Sequence, residues 1–158
     1  MKLILGSTSP FRKALLERLN IEFSCASPNV DETPIEDESI EAMVMRLSEL
    51  KAEAVAEQIK GQDALIIGSD QSAVLNGKPL TKPGNFENAV KQLTAASGQR
   101  IIFQTGLCLL NTKTGKKQTI CEPYTVVFKT LTPKIIEHYL KVTIHYLHSY
   151  TLNLQYEL

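Results

Sequence analysis

The sequence has no excess of either charge and no long apolar run, and each absence narrows the range of functions. Among its 158 residues, 17 lysines and arginines balance 17 aspartates and glutamates, so the net charge is +0 at pH 7. Without a net field, attraction to nucleic acid or to an anionic membrane would have to be local. There is no leader of charged and then apolar residues, and no stretch of about 18 apolar residues. We therefore expect a cytoplasmic protein that binds neither nucleic acid nor a membrane.

Cysteine is also scarce, and nothing in the sequence divides the chain. Cys25, Cys108 and Cys121 form no CxxC pair, so we expect buried free thiols in a reducing compartment. The chain shows no repeat, no low-complexity tract and no linker. Its length suits one domain, which would bury roughly two-thirds of the surface of the unfolded chain.

Apolar periodicity predicts alternating strands and helices. The predicted strands cover residues 3–6, 21–26, 64–68, 100–111 and 117–129, and residues 72–75 either continue the strand over 64–68 or pair with it. The predicted helices cover residues 10–19, 40–59, 86–96 and 132–141. Residues 76–77 and 112–115 are typical of hairpin turns, and the acidic segment 27–39 is typical of an exposed loop. This order predicts an α/β protein with a mixed sheet.

The most informative stretch joins the first predicted strand to the first predicted helix. Ser7–Ser9 are good N-cap residues, and Pro10 suits the first helical position. The helix dipole favours acids in a first turn, so the cations Arg12 and Lys13 need another reason to be there. Backbone N–H groups at a helix start bind anions, and two cations would strengthen such a site. The stretch predicts either a phosphate site or a strand-to-helix connection with two solvated basic side chains.

Three further polar clusters lie where predicted strands or turns end. Asp31 and Glu32 lie in the loop that Pro34 bounds, and Asp70 follows an apolar strand. Lys82 lies in a loop after the predicted hairpin. Each cluster alone is equally typical of a turn or a solvated loop. Together, at the loop-bearing edge where α/β sheets bind ligands, they offer oxygen ligands for Mg²⁺ or Mn²⁺ and cations for phosphates.

The order and spacing of these motifs resemble the Maf family over residues 2–141. The matching motifs are Ser7-Thr8-Ser9-Pro10-x-Arg12, Asp31-Glu32-Thr33-Pro34, Lys51-Ala52, Gly68-Ser69-Asp70-Gln71 and Lys82-Pro83. Each motif is weak by itself, but the joint pattern is specific. The resemblance implies an elongated mixed sheet flanked by helices, in the inosine-triphosphatase-like (Maf) fold.

The same resemblance implies a nucleoside triphosphate pyrophosphatase that releases a monophosphate and pyrophosphate with the help of Mg²⁺ or Mn²⁺. Asp70 would accept a proton from the attacking water and contact the metal, and Glu32 would help to bind the metal. The residues implied as phosphate contacts are Ser7, Arg12, Lys51 and Lys82. These phosphate contacts, Glu32 and Asp70 are expected to line one cleft.

Two departures from the usual Maf pattern concern the base of the nucleotide. Phe11 replaces the first arginine after the Ser-Pro pair, and Gln71 replaces a threonine after the central aspartate. This variant resembles the subfamily that hydrolyses 7-methyl-GTP. Phe11 would then stack near the base, because a cationic methylated guanine gains from an aromatic face. Gln71 would pair with a base edge through its donor and acceptor.

One lysine could be mistaken for another in this pattern. Gly77-Lys78-Pro79 imitates the Gly-Lys-Pro motif of the family. Counting back from the helix that contains residues 87–89 favours Lys82 as the phosphate contact, with Lys78 as the lesser candidate. Neither lysine forms a P-loop, because Pro79 follows the first and no glycine lies five residues before Gly77.

The C-terminal sequence departs from the family, and the departure leaves two functions open. Residues 142–158 match none of the usual final segments, so we expect a Maf-like domain over 1–141 and a divergent tail over 142–158, with the fold C-terminally truncated. His145 and His148 have a metal-like spacing but no acid or cysteine placed beside them. The chain is then either an active pyrophosphatase or a catalytically impaired nucleotide-binding remnant that acts through protein contacts. Relatives are commonly dimers, so the resemblance also allows for a homodimer.

Overall fold

Strands and helices alternate along residues 1–143, the part of the chain that the computed structural model describes. The strands are β1 (Lys2–Gly6), β2 (Ser24–Ala26), β3 (Ala64–Leu75), β4 (Lys78–Leu80), β5 (Arg100–Asn111) and β6 (Lys117–Val127). The helices are α1 (Pro10–Glu17), α2 (Ile40–Gln58), α3 (Phe86–Ala96) and α4 (Pro133–Thr143). His145, His148 and the rest of the divergent tail from residue 144 onward lie outside the described residues, so the predictions made for them stay predictions.

The strands form a six-stranded mixed sheet, which confirms the predicted α/β class. The order is β2-β1-β3-β5-β6, and β4 pairs with β3. Strand β1 runs parallel to both β2 and β3, with Gly6 opposite Gly68. Strand β4 runs antiparallel to β3, and the turn between them uses Asn76 and Gly77 at positive φ. Positive φ at both central residues is the geometry of the predicted hairpin turn.

The described chain divides into two compact units. The first contains Met1–Gln71 and Gln104–Pro123, and the second contains Ser72–Phe103 and the described residues from Tyr124 onward. Strands β3, β5 and β6 each contribute residues to both units. Of the predicted site residues, all except Lys82 and its alternative Lys78 belong to the first unit.

The core of the first unit lies between α2 and the sheet. Helix α2 begins after Ser39, whose Oγ accepts a hydrogen bond from Ala42 N at 3.1 Å. The helix then buries an apolar stripe against strand residues, and the buried cluster consists of Ile4, Ala52, Val55, Ala64, Ile66, Cys108 and Leu110. Burial of an amphipathic stripe of this kind stabilises a helix more than its intrinsic propensity does.

Two glycines let α2 approach the sheet closely. A Cβ added at Gly68 of β3 would lie 2.8 Å from Ala52 N, and one at Gly106 of β5 would lie 2.6 Å from the Val44 carbonyl carbon. Real Cβ atoms do not approach backbone so closely. The helix backbone therefore packs directly on these two strands, with no side chain between them.

The second unit contains two buried apolar clusters. One buried cluster consists of Ala73, Leu75, Ala96, Ile101, Phe103 and Phe128, and another consists of Ala89, Leu93, Ile136 and Leu140. Helix α3 begins after Asn85, whose Oδ1 accepts from Asn88 N at 2.8 Å. The apolar residues of α3 and α4 recur at helical spacing, so both helices bury one face in the second cluster.

The structure differs from the predictions at several places. Strand β4 was not predicted, and Cys121 is half-buried rather than buried. Helix α1 ends at Glu17, and Asn20 takes a positive φ of 53°, so the chain turns earlier than predicted. Strand β2 has only three residues at the edge of the sheet order, and Cys25 in it is exposed rather than buried. An edge strand has a neighbour on one side only, which leaves this thiol uncovered. Strand β3 continues without a break through Asp70.

No helix within residues 1–143 combines the length and the apolar character that a membrane crossing requires.

Candidate active site

Hydroxyl groups organise the start of α1, directly after β1. The Ser9 Oγ accepts a hydrogen bond from Arg12 N at 3.4 Å, and Pro10 occupies the first helical position. The Ser7 Oγ accepts from Ser9 N at 3.1 Å, and Ser7 is buried. The serines therefore fix the turn that carries the chain from the sheet into the helix, as the sequence predicts.

The two cations of this turn have different surroundings. Arg12 is partly buried, and burial lowers its pKa, while the neighbouring charges of Asp70 and Glu32 act in the opposite direction. Lys13 is exposed and lies 3.7 Å from Glu17, one helical turn away. Arg12 thus lies in the electrostatic field of the acidic residues, whereas Lys13 is a solvated side chain.

Lys51 joins two of the predicted acids. Its Nζ lies 2.6 Å from Asp70 Oδ1 and 2.6 Å from Glu32 Oε1. The side chain of Lys51 is 7% exposed and that of Asp70 is 13% exposed, whereas that of Glu32 is 54% exposed. A buried ammonium is costly unless it is paired. The structure therefore brings together one cation and two carboxylates from helix α2, strand β3 and the loop that follows β2.

The close packing of α2 on β3 explains why Asp70 reaches this helix. Side chains two apart on a strand share a face, so Asp70 lies on the same face as Gly68, where α2 is in contact with the sheet. The Ser48 Oγ of α2 accepts a hydrogen bond from Asp70 N at 2.9 Å and donates to Val44 O at 2.6 Å. Ser48 is fully buried and was missed by sequence reasoning. The available signal was a single hydroxyl within the apolar stripe of α2.

The loop before α2 is tied to the helix by Arg46, a second residue that sequence reasoning missed. Its Nε and Nη2 donate to the two carboxylate oxygens of Glu38, each at 2.7 Å, which lowers the pKa of Glu38. Its Nη2 also donates to Thr33 O at 3.4 Å. Within the loop, Asp31 Oδ1 accepts from Thr33 N and Thr33 Oγ1, and these bonds lower the pKa of Asp31. The acidic loop is therefore internally ordered.

The residues predicted to read the base lie on two elements of the first unit. Phe11 is in the first turn of α1 and is partly buried. Gln71 lies next to Asp70 on β3, and its Nε2 donates to Thr105 Oγ1 of β5 at 2.8 Å. Thr105 therefore fixes the amide of Gln71.

The two candidate lysines of the second unit are both exposed. Lys78 lies in β4, and Lys82 lies in the segment between β4 and α3. The neighbouring Pro83 is buried, and its carbonyl accepts from Asn88 Nδ2 at 3.0 Å. This bond anchors the segment that carries Lys82 to the start of α3.

The donor set fits a divalent cation that two protein carboxylates and the phosphates of a substrate hold together. The oxygens of Asp70 and Glu32 converge on one point, the Nζ of Lys51. Within residues 1–143, no group of three or more histidine, cysteine, aspartate or glutamate side chains is arranged to hold a metal. Mg²⁺ is commonly bound by one or two carboxylates together with phosphate oxygens and waters. Two carboxylates beside the cations Arg12 and Lys51 suit that mode of binding.

Comparison with known proteins gives a consistent result. A family profile described as Maf-like protein matches residues 2–149. The chain is 51% identical over 140 residues to a 7-methyl-GTP pyrophosphatase of Alcanivorax borkumensis, covering 89% of this chain and 70% of the relative. It is 52% identical over 142 residues to a protein of the same name from Pseudoalteromonas atlantica, covering 90% and 72%.

A third relative and one solved structure complete the comparison. The 7-methyl-GTP pyrophosphatase of Pseudomonas syringae is 49% identical over 144 residues, covering 91% of this chain and 74% of the relative. The structure of the Staphylococcus aureus Ham1 protein aligns with a TM-score of 0.49 at 13% identity, covering 80% of this chain and 71% of that one. The family profile and the sequence relatives show the family of this chain, whereas this structural likeness does not bear on it.

Proposed function

Because the chain belongs to the Maf family, we propose that it is a nucleoside triphosphate pyrophosphatase that hydrolyses 7-methyl-GTP to the monophosphate and pyrophosphate. The observation that carries the proposal is the contact of Lys51 with Asp70 and Glu32 at 2.6 Å, in a partly buried position. Relatives about half identical in sequence carry the name of this activity. The contact supplies what the reaction needs, namely a confined carboxylate beside a cation.

The residues of the site have two roles in this proposal: one is a general base, and the others contact phosphate. Asp70 takes the proton of the water that attacks the α-phosphorus, since its carboxylate is restrained by Lys51 and its backbone by Ser48. The electrons of the broken P–O bond leave on pyrophosphate. Arg12 and Lys51 stabilise the negative charge that accumulates on the phosphate oxygens. Ser7, at the start of α1, is proposed to donate to a phosphate oxygen.

Lys82 is proposed as a further phosphate contact from the family motif alone, and Lys78 remains the lesser candidate. Both lysines are exposed. An exposed ammonium on a flexible stem can pair with a phosphate without losing another partner. Substitution of each lysine in turn distinguishes them, because KM for the triphosphate should rise only when the lysine that contacts phosphate is replaced.

A divalent cation, Mg²⁺ or Mn²⁺, is proposed to be bound by Asp70 and Glu32 together with the triphosphate. When bound, it would neutralise phosphate charge and polarise the bond that breaks. Glu32 is more exposed than Asp70, so its carboxylate can exchange Lys51 for another cation at lower cost. Chelation of divalent cations with EDTA should therefore abolish turnover, and added Mg²⁺ or Mn²⁺ should restore it.

The test is hydrolysis of a nucleotide panel in water labelled with ¹⁸O. We expect 7-methyl-GTP to be the preferred substrate over GTP and the pyrimidine triphosphates. Mass spectrometry should find the label in the nucleoside monophosphate, because attack at the α-phosphorus places the new oxygen there. Release of orthophosphate instead of pyrophosphate, or absence of turnover on every nucleotide, would overturn the proposal.

A further inference from the structure

The loop that carries Glu32 has no helix or strand of its own until α2 begins. It nevertheless makes two kinds of well-defined contact. Near its middle, Thr33 bonds to Asp31 through both N and Oγ1, at 2.9 and 2.6 Å. Near its end, Glu38 is held by Arg46. The side chains of Arg46 and Glu38 are 24% and 12% exposed, so this pair is less solvated than an ordinary surface salt bridge.

The geometry around Arg46 is specific to a guanidinium. Two parallel bonds of 2.7 Å join it to the carboxylate of Glu38, and a third contact of 3.4 Å reaches the carbonyl of Thr33. A planar fork with several fixed donors can make these three contacts together, whereas a lysine ammonium cannot reproduce the parallel pair. Arg46 therefore links two points of the loop, five residues apart, to α2.

The pair is not needed to begin the helix. Ser39 already caps α2 through Ala42 N, and Glu41 lies in the first turn, where an acid is favourable. Arg46 reaches back by nearly two helical turns from a position deep within α2. Its contact with Thr33 ends one residue from Glu32, the acid that meets Lys51. The contacts of Arg46 are therefore with the loop rather than with the backbone groups that start the helix.

We propose that Arg46 is a positioning residue that, through Glu38 and Thr33, holds Glu32 at Lys51 and Asp70. Helix α2 then serves as one rigid frame for the site, since Lys51, Ser48 and Arg46 all lie on it. The significance for metal binding rests on the proposed function, because that function gives Glu32 its role. Residues that orient a metal ligand without touching the metal commonly change metal affinity tenfold or more when altered.

The first measurement is independent of activity. Hydrogen–deuterium exchange is followed in peptides that cover residues 27–39 for the parent, Arg46→Met, Arg46→Lys and Glu38→Gln. We expect exchange in this segment to accelerate about tenfold in Arg46→Met and less in Glu38→Gln, which keeps one acceptor for the guanidinium. Exchange in β3 should not change. The matched control is Lys60→Met, which removes an exposed cation that lies 3.6 Å from the exposed Glu57.

The second measurement is binding of Mn²⁺ alone, followed by the electron paramagnetic resonance of the free ion. We expect Arg46→Met to weaken binding roughly tenfold, with Arg46→Lys intermediate. In turnover assays, the metal concentration for half-maximal rate should rise by a similar factor. The rate at saturating metal should change by less than about twofold, because Asp70 keeps its contacts with Ser48 and Lys51.

The outcomes separate the proposal from the function on which it rests. Unchanged exchange in residues 27–39 would overturn the proposal, and so would faster exchange with unchanged Mn²⁺ affinity. If the parent hydrolyses no nucleotide but both exchange and Mn²⁺ binding respond to Arg46→Met, the proposed function fails while the positioning role stands. Should Arg46→Met not fold, Glu38→Gln gives the same two readouts with a milder change.

Discussion

Two lysines of the first unit lie between pairs of carboxylates at nearly the same distances, yet their surroundings differ. Lys51 is 2.6 Å from both Asp70 and Glu32. Lys117 is 2.7 Å from Glu49 and 2.8 Å from Glu53. The Lys51 side chain is 7% exposed, whereas the Lys117 side chain is 34% exposed. Distance alone therefore does not distinguish the proposed site from the Lys117 cluster.

The origin of the partners and their burial make the distinction. Glu49 and Glu53 are one helical turn apart on α2, and Lys117 of β6 lies across both, with Thr119 donating to Glu49. These contacts raise the pKa of Lys117 and lower that of Glu49, as expected for charges that satisfy one another. The acids around Lys51 come from separate segments and also lie near Arg12, whose pKa burial lowers. Of these two clusters, the one around Lys51 has the arrangement of charges that the proposed mechanism uses.

The largest expected difference between the clusters concerns Asp70. Asp70→Asn keeps the size of the side chain but removes its charge and its basic oxygen. We expect pyrophosphate release to fall by at least about a hundredfold, the scale of a positioned general base. Nucleotide binding should survive, because Ser7, Arg12 and Lys51 remain. Both quantities are measured on the same preparation, by a pyrophosphate assay and by titration calorimetry.

The control for this prediction comes from the other cluster. Glu53→Gln removes one carboxylate beside Lys117, as Asp70→Asn does beside Lys51, and should leave turnover within about twofold of the parent. Near-equal turnover in Asp70→Asn and the parent would remove Asp70 from the mechanism. A parent that binds nucleotide without turnover would instead favour the impaired, nucleotide-binding alternative.

The second prediction compares the lysines themselves. Lys51→Met removes a charge-assisted contact to phosphate and should lower kcat/KM about tenfold to a hundredfold. Lys117→Met should leave kcat/KM unchanged, because Lys117 lies outside the proposed site. Steady-state kinetics of both variants, with urea unfolding to show that each is folded, test the comparison. Equal losses in the two variants would contradict the assignment of the site to Lys51.

The third prediction concerns selection of the base. Phe11→Arg together with Gln71→Thr removes an aromatic face and an amide that Thr105 holds. We expect the preference for 7-methyl-GTP over a pyrimidine triphosphate to fall about fivefold to thirtyfold, which corresponds to roughly 1–2 kcal/mol. The ratio of kcat/KM values for the two substrates gives the result directly. An unchanged ratio would place the base contacts on other residues.

The smallest expected effect is a pH dependence of stability in the Lys117 cluster. Since the pKa of Glu49 is lower in the folded chain than when unfolded, its pairing stabilises the fold at pH values above the unfolded pKa. That contribution is lost as the pH falls through the folded pKa. For so exposed a group we expect at most about 1 kcal/mol. The difference in urea unfolding between the parent and Glu49→Gln should be largest at pH 7 and should shrink as the pH falls through the folded pKa of Glu49, and a difference that does not depend on pH would contradict the assignment.

Sequence periodicity predicted the elements of this fold more fully than it predicted the contacts of the site. The bounds of α3 and β5 agree with prediction, because each has a clear capping residue or turn at its ends. The α/β class follows from the alternation of helical and strand periods. The resemblance to the Maf family, now confirmed by the matching profile and relatives, supplied residues that local pattern alone left ambiguous.

The features that the sequence did not predict depend on which residues, far apart in the chain, lie next to each other in the fold. Ser48 bonds to the backbone of a residue 22 positions away, and no periodic pattern records such a pair. No periodic pattern distinguishes Arg46 from the other polar residues of α2, since its partner Glu38 lies outside that helix. Cys25 was expected to be buried from its neighbours in sequence, but coverage depends on which strand lies at the sheet edge.

The contact of α2 with Gly68 and Gly106 also has a genetic consequence. Every missense change at a glycine codon adds at least a Cβ, and at these two positions that atom would meet the backbone of α2. No substitution at either position is therefore conservative, even though neither glycine contacts the nucleotide in the proposed mechanism. In a library of random variants screened for activity, substitutions at these two glycines should therefore be as rare as substitutions at Asp70. When the glycine variants are expressed individually, they should be misfolded, whereas a variant of Asp70 should be folded but inactive.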